Sequence, residues 1–248
     1  MLIEGDSPVI ERLNSIHEIG TACIRAGTVG SFRDFGESLR NRFNVSFRYN
    51  QESEQLISQR VLYEIMDGRR DLGISFFVAG YSSPIGYPIH TTALEGLYGN
   101  KERTLKKEDI FDILSKIGLR TFPTVPYDGG FLDTDSFVLK RVFKEFKFDS
   151  LLVGDGCILL AATEIPREIT DLREELSTLY SQFGLETLPL DNLFHITLTR
   201  MTTVVKPSMA DIFIERIESL HQKVAENPLI LKATGLQKTS AFDMLHSR

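Results

Sequence analysis

Two short stretches of this chain carry residues that could do chemistry together. His90-Thr91-Thr92 lies in "YPIHTTALEG" and His195-Ile196-Thr197 in "LFHITLTRM", and the whole chain has only five histidines. Both stretches are strand-like in composition, and in a strand residues i and i+2 project from the same face. His90 therefore pairs with Thr92, and His195 with Thr197, each as one small polar patch. Imidazole titrates near neutrality, so one histidine can take a proton from a nucleophile while the other gives one to a leaving oxygen. Threonine hydroxyls can donate hydrogen bonds to the non-bridging oxygens of a phosphoryl group, where negative charge gathers. The combination suits phosphoester cleavage without a metal.

Each motif alone is ordinary, because a histidine in a strand is most often a packed structural residue. Their occurrence as a pair gives them weight. Behind the second motif lies an apolar face, Phe194, Ile196 and Leu198. The first strand alternates less cleanly, since Ile89 and Ala93 flank Thr91 on one side while Leu94 shares the side of the histidine. Zinc is a poor competing account: the chain has no H-x-x-x-H, H-E-x-x-H or cysteine-rich cluster, the spacings that gather metal ligands. No metal and no cofactor is expected. Tyr87 and Tyr98 flank the first motif and could stack on a base, although ordinary packing is the favoured account of both. Arg200 would face away from His195 in an ideal strand, so a phosphate-binding role for it requires a bulge. His17, His221 and His246 have no threonine partner and read as structural or solvated.

The elements around these motifs follow from periodicity and breakers. Ser7 as cap, Pro8 in the first turn and Gly27 as stop frame a first helix with Val9, Leu13, Ile16 and Ile24 on its apolar face. Phe32, Phe35, Leu39 and Phe43 recur at helical spacing, "VSFRYN" alternates as a brief strand, and residues 52 to 67 read as a third helix ending before Gly68. From residue 72 the texture changes. "LGISFFVAGY" and "IHTTALEG" are β-runs, a helix spans Thr104 to Ile117, and the turn-rich stretch from Arg120 to Asp135 is a loop or sheet edge because Pro123 and Pro126 exclude a central strand. "FDSLLVGDGCILLAAT" is a hairpin turning at Asp155-Gly156. A helix follows from Pro166 to Gly184 with Leu172, Leu176, Leu179 and Phe183 on one face, then the His195 strand, then a helix starting at Pro207-Ser208 with Phe213, Ile217, Leu220 and Val224. The β-runs "LILKATGL" and "AFDMLHS" finish the chain. Each His-x-Thr strand is thus followed by a helix at nearly the same distance, a duplicated strand-then-helix arrangement.

Composition bounds the function classes. At 248 residues, 42% hydrophobic and 25% charged, the chain can bury a large core. No stretch approaches the roughly 20 apolar residues that span a bilayer, and the acidic start "MLIEGDSPVIERL" lacks a basic region before an apolar block, so a cytoplasmic protein is expected. Cys23 and Cys157 are too few for a disulfide framework and read as small buried apolar residues. A net charge of −6 and a pI near 5.5 argue against a broad nucleic-acid-coating surface. Any nucleotide or RNA end would be recognised in one confined cleft.

"HTT" within "YPIHTTAL" and "HIT" within "LFHITLTRM", followed by the helix and closing strands above, resemble the paired His-x-Ser/Thr motifs of the two-histidine (2H) phosphoesterase superfamily, which includes the bacterial RNA ligase-like cyclic phosphodiesterases. The resemblance covers roughly residues 70 to 248. It implies a bilobal α+β fold, two antiparallel sheets around a central cleft flanked by helices, and cleavage of a cyclic or 2′-linked phosphodiester of a nucleotide or RNA end. On this resemblance His90 and His195 are the base and acid pair, and Thr92 and Thr197 the phosphate-binding hydroxyls. The chain departs from the family pattern in a helical N-terminal segment, residues 1–70, expected to pack on the main domain of residues 71–248, and in a longer insertion between the motifs. The alternative is a non-catalytic module of the same fold that binds a nucleotide or phosphorylated ligand, with protein partners left open.

Overall fold

The computed structural model describes residues 3–28, 42–72, 76–78, 89–97, 121–122, 131–132, 145–182, 184–190 and 193–240. The fold is α+β, with two antiparallel sheets as expected. The larger sheet contains β1 (Arg42–Tyr49), β3 (His90–Leu97), β4 (Thr121–Phe122), β5 (Phe131–Leu132), β6 (Glu145–Phe148), β9 (Glu186–Leu188) and β11 (Leu229–Ser240). They run in the order β4-β5-β11-β1-β3-β9, with β6 also pairing with β11. The smaller sheet has β2 (Phe76–Val78), β7 (Ser150–Gly154), β8 (Cys157–Ala161) and β10 (His195–Met201), in the order β2-β10-β8-β7. The two His-x-Thr motifs therefore lie on different sheets, His90 on β3 and His195 on β10.

Helix α1 (Pro8–Ala26) is framed by the signals in its sequence: Ser7 Oγ accepts from the Ile10 N–H at 3.2 Å, and Gly27 closes it at φ 65°. It packs on β7 together with α5 (Ala210–Glu226), which follows a short 3₁₀ turn at Pro207–Met209. Strand β7 is an edge, and an edge leaves backbone donors without partners. Two buried histidines satisfy them: the Leu151 N–H donates to His221 Nδ1 at 3.1 Å, and the Val153 N–H donates to His17 Nδ1 at 3.2 Å. The structural role expected for these histidines is thereby specified. His246 lies outside the described residues.

The segment before residue 70, expected as a helical extension packed on the main domain, also contributes a strand to the larger sheet. β1 is paired on one side with β11 and on the other with β3, at the centre of the larger sheet. Its sequence explains why: Val45, Phe47 and Tyr49 enter the core, while Asn44, Ser46 and Arg48 alternate onto the opposite face. The following helix also outruns expectation. α2 (Gln51–Ile57) passes through a π-helical turn at Ser58–Leu62 into α3 (Tyr63–Leu72), so helix continues beyond Gly68 to reach a buried Leu72. The helix expected over residues 31–43 is overturned at its end, where Arg42 and Phe43 already pair in β1, and its remainder lies outside the described residues, as do the helix expected over 104–117 and the closing run after residue 240.

An aromatic cluster joins the sheets. Phe194, the residue before the second motif, is buried against Phe47 of β1 at 6.1 Å and against Phe146 and Phe148 of β6 at 4.9 and 5.7 Å between ring centroids. Such ring contacts add to area burial and fix orientation. Helix α4 (Arg167–Gln182) covers β3 and β9, with Ile169, Leu172, Leu176 and Tyr180 buried. Tyr180 takes the place expected of Leu179, which is only partly buried, and Phe183 lies outside the described residues.

Candidate functional site

β3 and β10 touch one another across the boundary between the two sheets. The sequence motifs thus lie on neighbouring strands, although they are far apart in the chain.

Each strand carries a bulge at the same place. In β3, Ser46 pairs with Thr92 and Val45 with Leu94, leaving Ala93 as an extra residue. In β10, Thr197 pairs with Leu159 and Thr199 with Ile158, leaving Leu198 extra. In both cases the extra residue is the third after the histidine. A bulge shifts the alternation of side chains by one residue. This resolves the irregularity of the first motif, because Leu94 turns into the core opposite Val45 instead of sharing the face of His90. It also supplies what Arg200 requires. Beyond Leu198 the buried positions shift to Thr199 and Met201, and Arg200 joins His195 and Thr197 on the half-buried face.

Within the first motif the two threonines have different jobs. The Thr91 hydroxyl faces the core, 2.5 Å from the Tyr49 hydroxyl, and is fully buried. Thr92 stands on the other face beside His90, itself 8% exposed. Directly opposite on β1 are Arg48, paired with His90, and Ser46, paired with Thr92, which share that face as cross-strand partners. Ser46 is 2% exposed and its hydroxyl has no hydrogen-bond partner among the described residues. Neither was marked by the sequence, where "VSFRYN" showed only a short alternation.

His195 is half-buried, and its Nδ1 is enclosed with no hydrogen-bond partner among the described residues. Burial, together with the guanidinium groups of Arg173 and Arg200, pushes its pKa down to about 4. At neutral pH this imidazole is uncharged, with a ring nitrogen able to accept a proton. Across β8 from Arg200, the half-buried Cys157 is a free thiol that burial pushes up to about 11. Cys23 is likewise a free, half-buried thiol, so neither cysteine is the fully buried residue expected.

Arg173 is the other residue that sequence patterning missed. From α4 its Nη2 donates to Leu193 O at 2.6 Å and to Thr92 O at 3.2 Å, and its Cζ lies 5.8 Å from the centroid of the Phe194 ring. The signal was present: Ile169, Leu172, Arg173, Leu176 and Tyr180 fall on one helical stripe, so an arginine occupies an otherwise apolar face. A groove of about 590 Å³ runs over this guanidinium between α4 and β9, with Ser177, Thr187 and Leu94 in its walls. A second, of about 350 Å³, lies beside Phe146, Lys147 and Asp149. Neither of these two grooves is lined by His90 or His195. Tyr87 and Tyr98 lie outside the described residues. No helix among the described residues is long and apolar enough to cross a membrane.

The structure of Usb1 from Kluyveromyces marxianus is similar to this chain, covering 83% of it and 96% of that protein, with 13% sequence identity and a TM-score of 0.40. No family model and no curated protein matches the chain.

Proposed function

We propose that this protein is a metal-independent phosphodiesterase that opens a cyclic 2′,3′-type phosphate, or cleaves a 2′-linked phosphodiester, at the end of a nucleotide or RNA. The observation that carries this is the contact between β3 and β10, each bearing a His-x-Thr motif followed by a bulge at the same position. On that arrangement both motifs present a histidine, a threonine and the residue five places after the histidine from one face.

We assign the general-base role to His195, which burial and two guanidinium groups keep uncharged and able to accept a proton at neutral pH, with a basicity below that of an ordinary imidazole. It takes the proton of a water, whose oxygen forms the new bond to phosphorus. His90 gives a proton to the ribose oxygen as its bond to phosphorus breaks. Thr92 and Thr197 donate to the non-bridging oxygens, and the Arg200 guanidinium offsets the charge gathering there. Apart from the attacking water and the substrate, every group in this scheme is a side chain of the chain itself.

Incubation of EDTA-treated protein with 2′,3′-cyclic nucleotides and 2′,5′-linked dinucleotides tests the proposal. Release of a phosphomonoester from either class is the expected result. Binding of cyclic nucleotide without turnover would assign a nucleotide-binding module in its place.

A further inference from the structure

We propose that Arg173 is a positioning residue that sets the spacing of the two His-x-Thr motifs, acting through Thr92 and Leu193 and not on the substrate. This deepens the phosphodiesterase reading and rests on it. A single nitrogen, Nη2, donates to both carbonyls, one inside the first motif on the larger sheet and the other two residues before His195, in the segment that leads into β10. Besides the core contact of the Phe194 ring, this is a polar tie between the two sheets at the level of the motifs.

The cost of placing a cation here argues for a specific role. Burial lowers the pKa of Arg173 to about 10, so the group still carries its charge at neutral pH. Among the described residues no carboxylate pairs with it, and its Nε is enclosed without a partner. A methionine or leucine at this position would complete the apolar stripe of α4 without desolvating a charge. What an apolar side chain cannot do is hold a carbonyl of β3 and one at the entry to β10 at one point. α4 is in turn anchored to β9 by the Ser177 and Thr187 hydroxyls, 2.5 Å apart, so the guanidinium is delivered from a fixed support. Paired acid and base groups need this precision, since a misplacement of about 1 Å can cost on the order of a hundredfold in rate.

The test compares the wild type with Arg173→Met, which keeps length and fills the stripe, and Arg173→Lys, whose ammonium retains enough donors for both carbonyls. Thermal unfolding establishes that each variant is folded. On a 2′,3′-cyclic nucleotide, Arg173→Met is expected to lose about ten- to a hundredfold in kcat with KM little changed, and Arg173→Lys to recover most of it. Independently of turnover, NMR cross-peaks between the Thr92 region of β3 and the Leu193–His195 segment are expected in the wild type and the lysine variant and to weaken in the methionine variant. A methionine variant with unchanged cross-peaks, or one that raises KM and leaves kcat intact, overturns the inference. A wild type that turns over nothing while the cross-peaks respond as expected would sink the phosphodiesterase reading and leave the positioning role standing.

Discussion

Arg200 shares a face of β10 with His195, although an ideal strand would turn the two apart, because Leu198 is an extra residue in the pairing of β10 with β8. In the proposed mechanism Arg200 offsets, from that position, the charge of a phosphoryl group held by Thr197. Arg200→Met is expected to lower kcat/KM by about ten- to a hundredfold, the equivalent of a charge-assisted hydrogen bond of about 1.5–3 kcal/mol. Steady-state kinetics on the best substrate of the panel measures it, and a change within error would remove Arg200 from the site.

The rate should depend on pH with an unusually low acid limb. In its proposed role as base His195 works only when unprotonated, so kcat/KM is expected to rise as pH rises through its pKa and to reach its plateau well below the ordinary histidine value. The midpoint of that limb is expected near the depressed value of about 4. Removing a neighbouring cation relieves the depression, so Arg200→Met should move the limb upward. A pH–rate profile for both proteins checks the position and the direction.

Much of this was legible in the chain. The strands that carry the two His-x-Thr motifs, the caps of α1, the Asp155-Gly156 hairpin and the apolar stripe of α5 were readable because local chemistry fixes them: turn residues, caps and side-chain period. What escaped was set by pairing. No local pattern says that Ala93 and Leu198 are extra residues, since a bulge is defined against the partner strand, and that single fact decides where Leu94 and Arg200 point. The place of β1 at the centre of the larger sheet likewise depends on β11 and β3, which pair with it from distant parts of the chain. Arg173 was readable in principle, as a charge on an apolar helical face, but its two acceptors lie far apart in the chain, one in β3 and one at the entry to β10.

Two histidines make the fold sensitive to acid. His17 and His221 accept backbone N–H groups of β7 through Nδ1, and burial lowers the pKa of both. The unfolded chain therefore binds protons that the folded one refuses. Their stabilisation is complete above the unfolded pKa of about 6.5 and is lost as pH falls below it toward the lowered folded values. Urea midpoints should drop between pH 7.5 and 5.5. His221→Asn, which keeps an acceptor near Nδ1 without titrating, should flatten the dependence, whereas His221→Leu should cost about 1–3 kcal/mol at pH 7.5 by stranding the Leu151 N–H.

Helix α1 approaches β7 through Gly20, where an added Cβ would lie 2.3 Å from Val153 O. The obstacle is backbone, which cannot step aside as a flexible side chain can. Gly20→Ala is expected to destabilise the protein by about 1–3 kcal/mol as an overpacked contact, despite the better helix propensity of alanine. Chemical denaturation reads this directly, and an equal or higher stability would show that α1 does not cross the strand this closely.

The most direct test of the paired-histidine mechanism is turnover of the best 2′,3′-cyclic or 2′,5′-linked substrate by EDTA-treated wild type, His90→Ala and His195→Ala, with circular dichroism to establish that each is folded. Loss of about a hundredfold or more in kcat for each folded variant is expected, in keeping with the contribution of a general acid or base. Turnover at the wild-type rate by either folded variant would contradict the account.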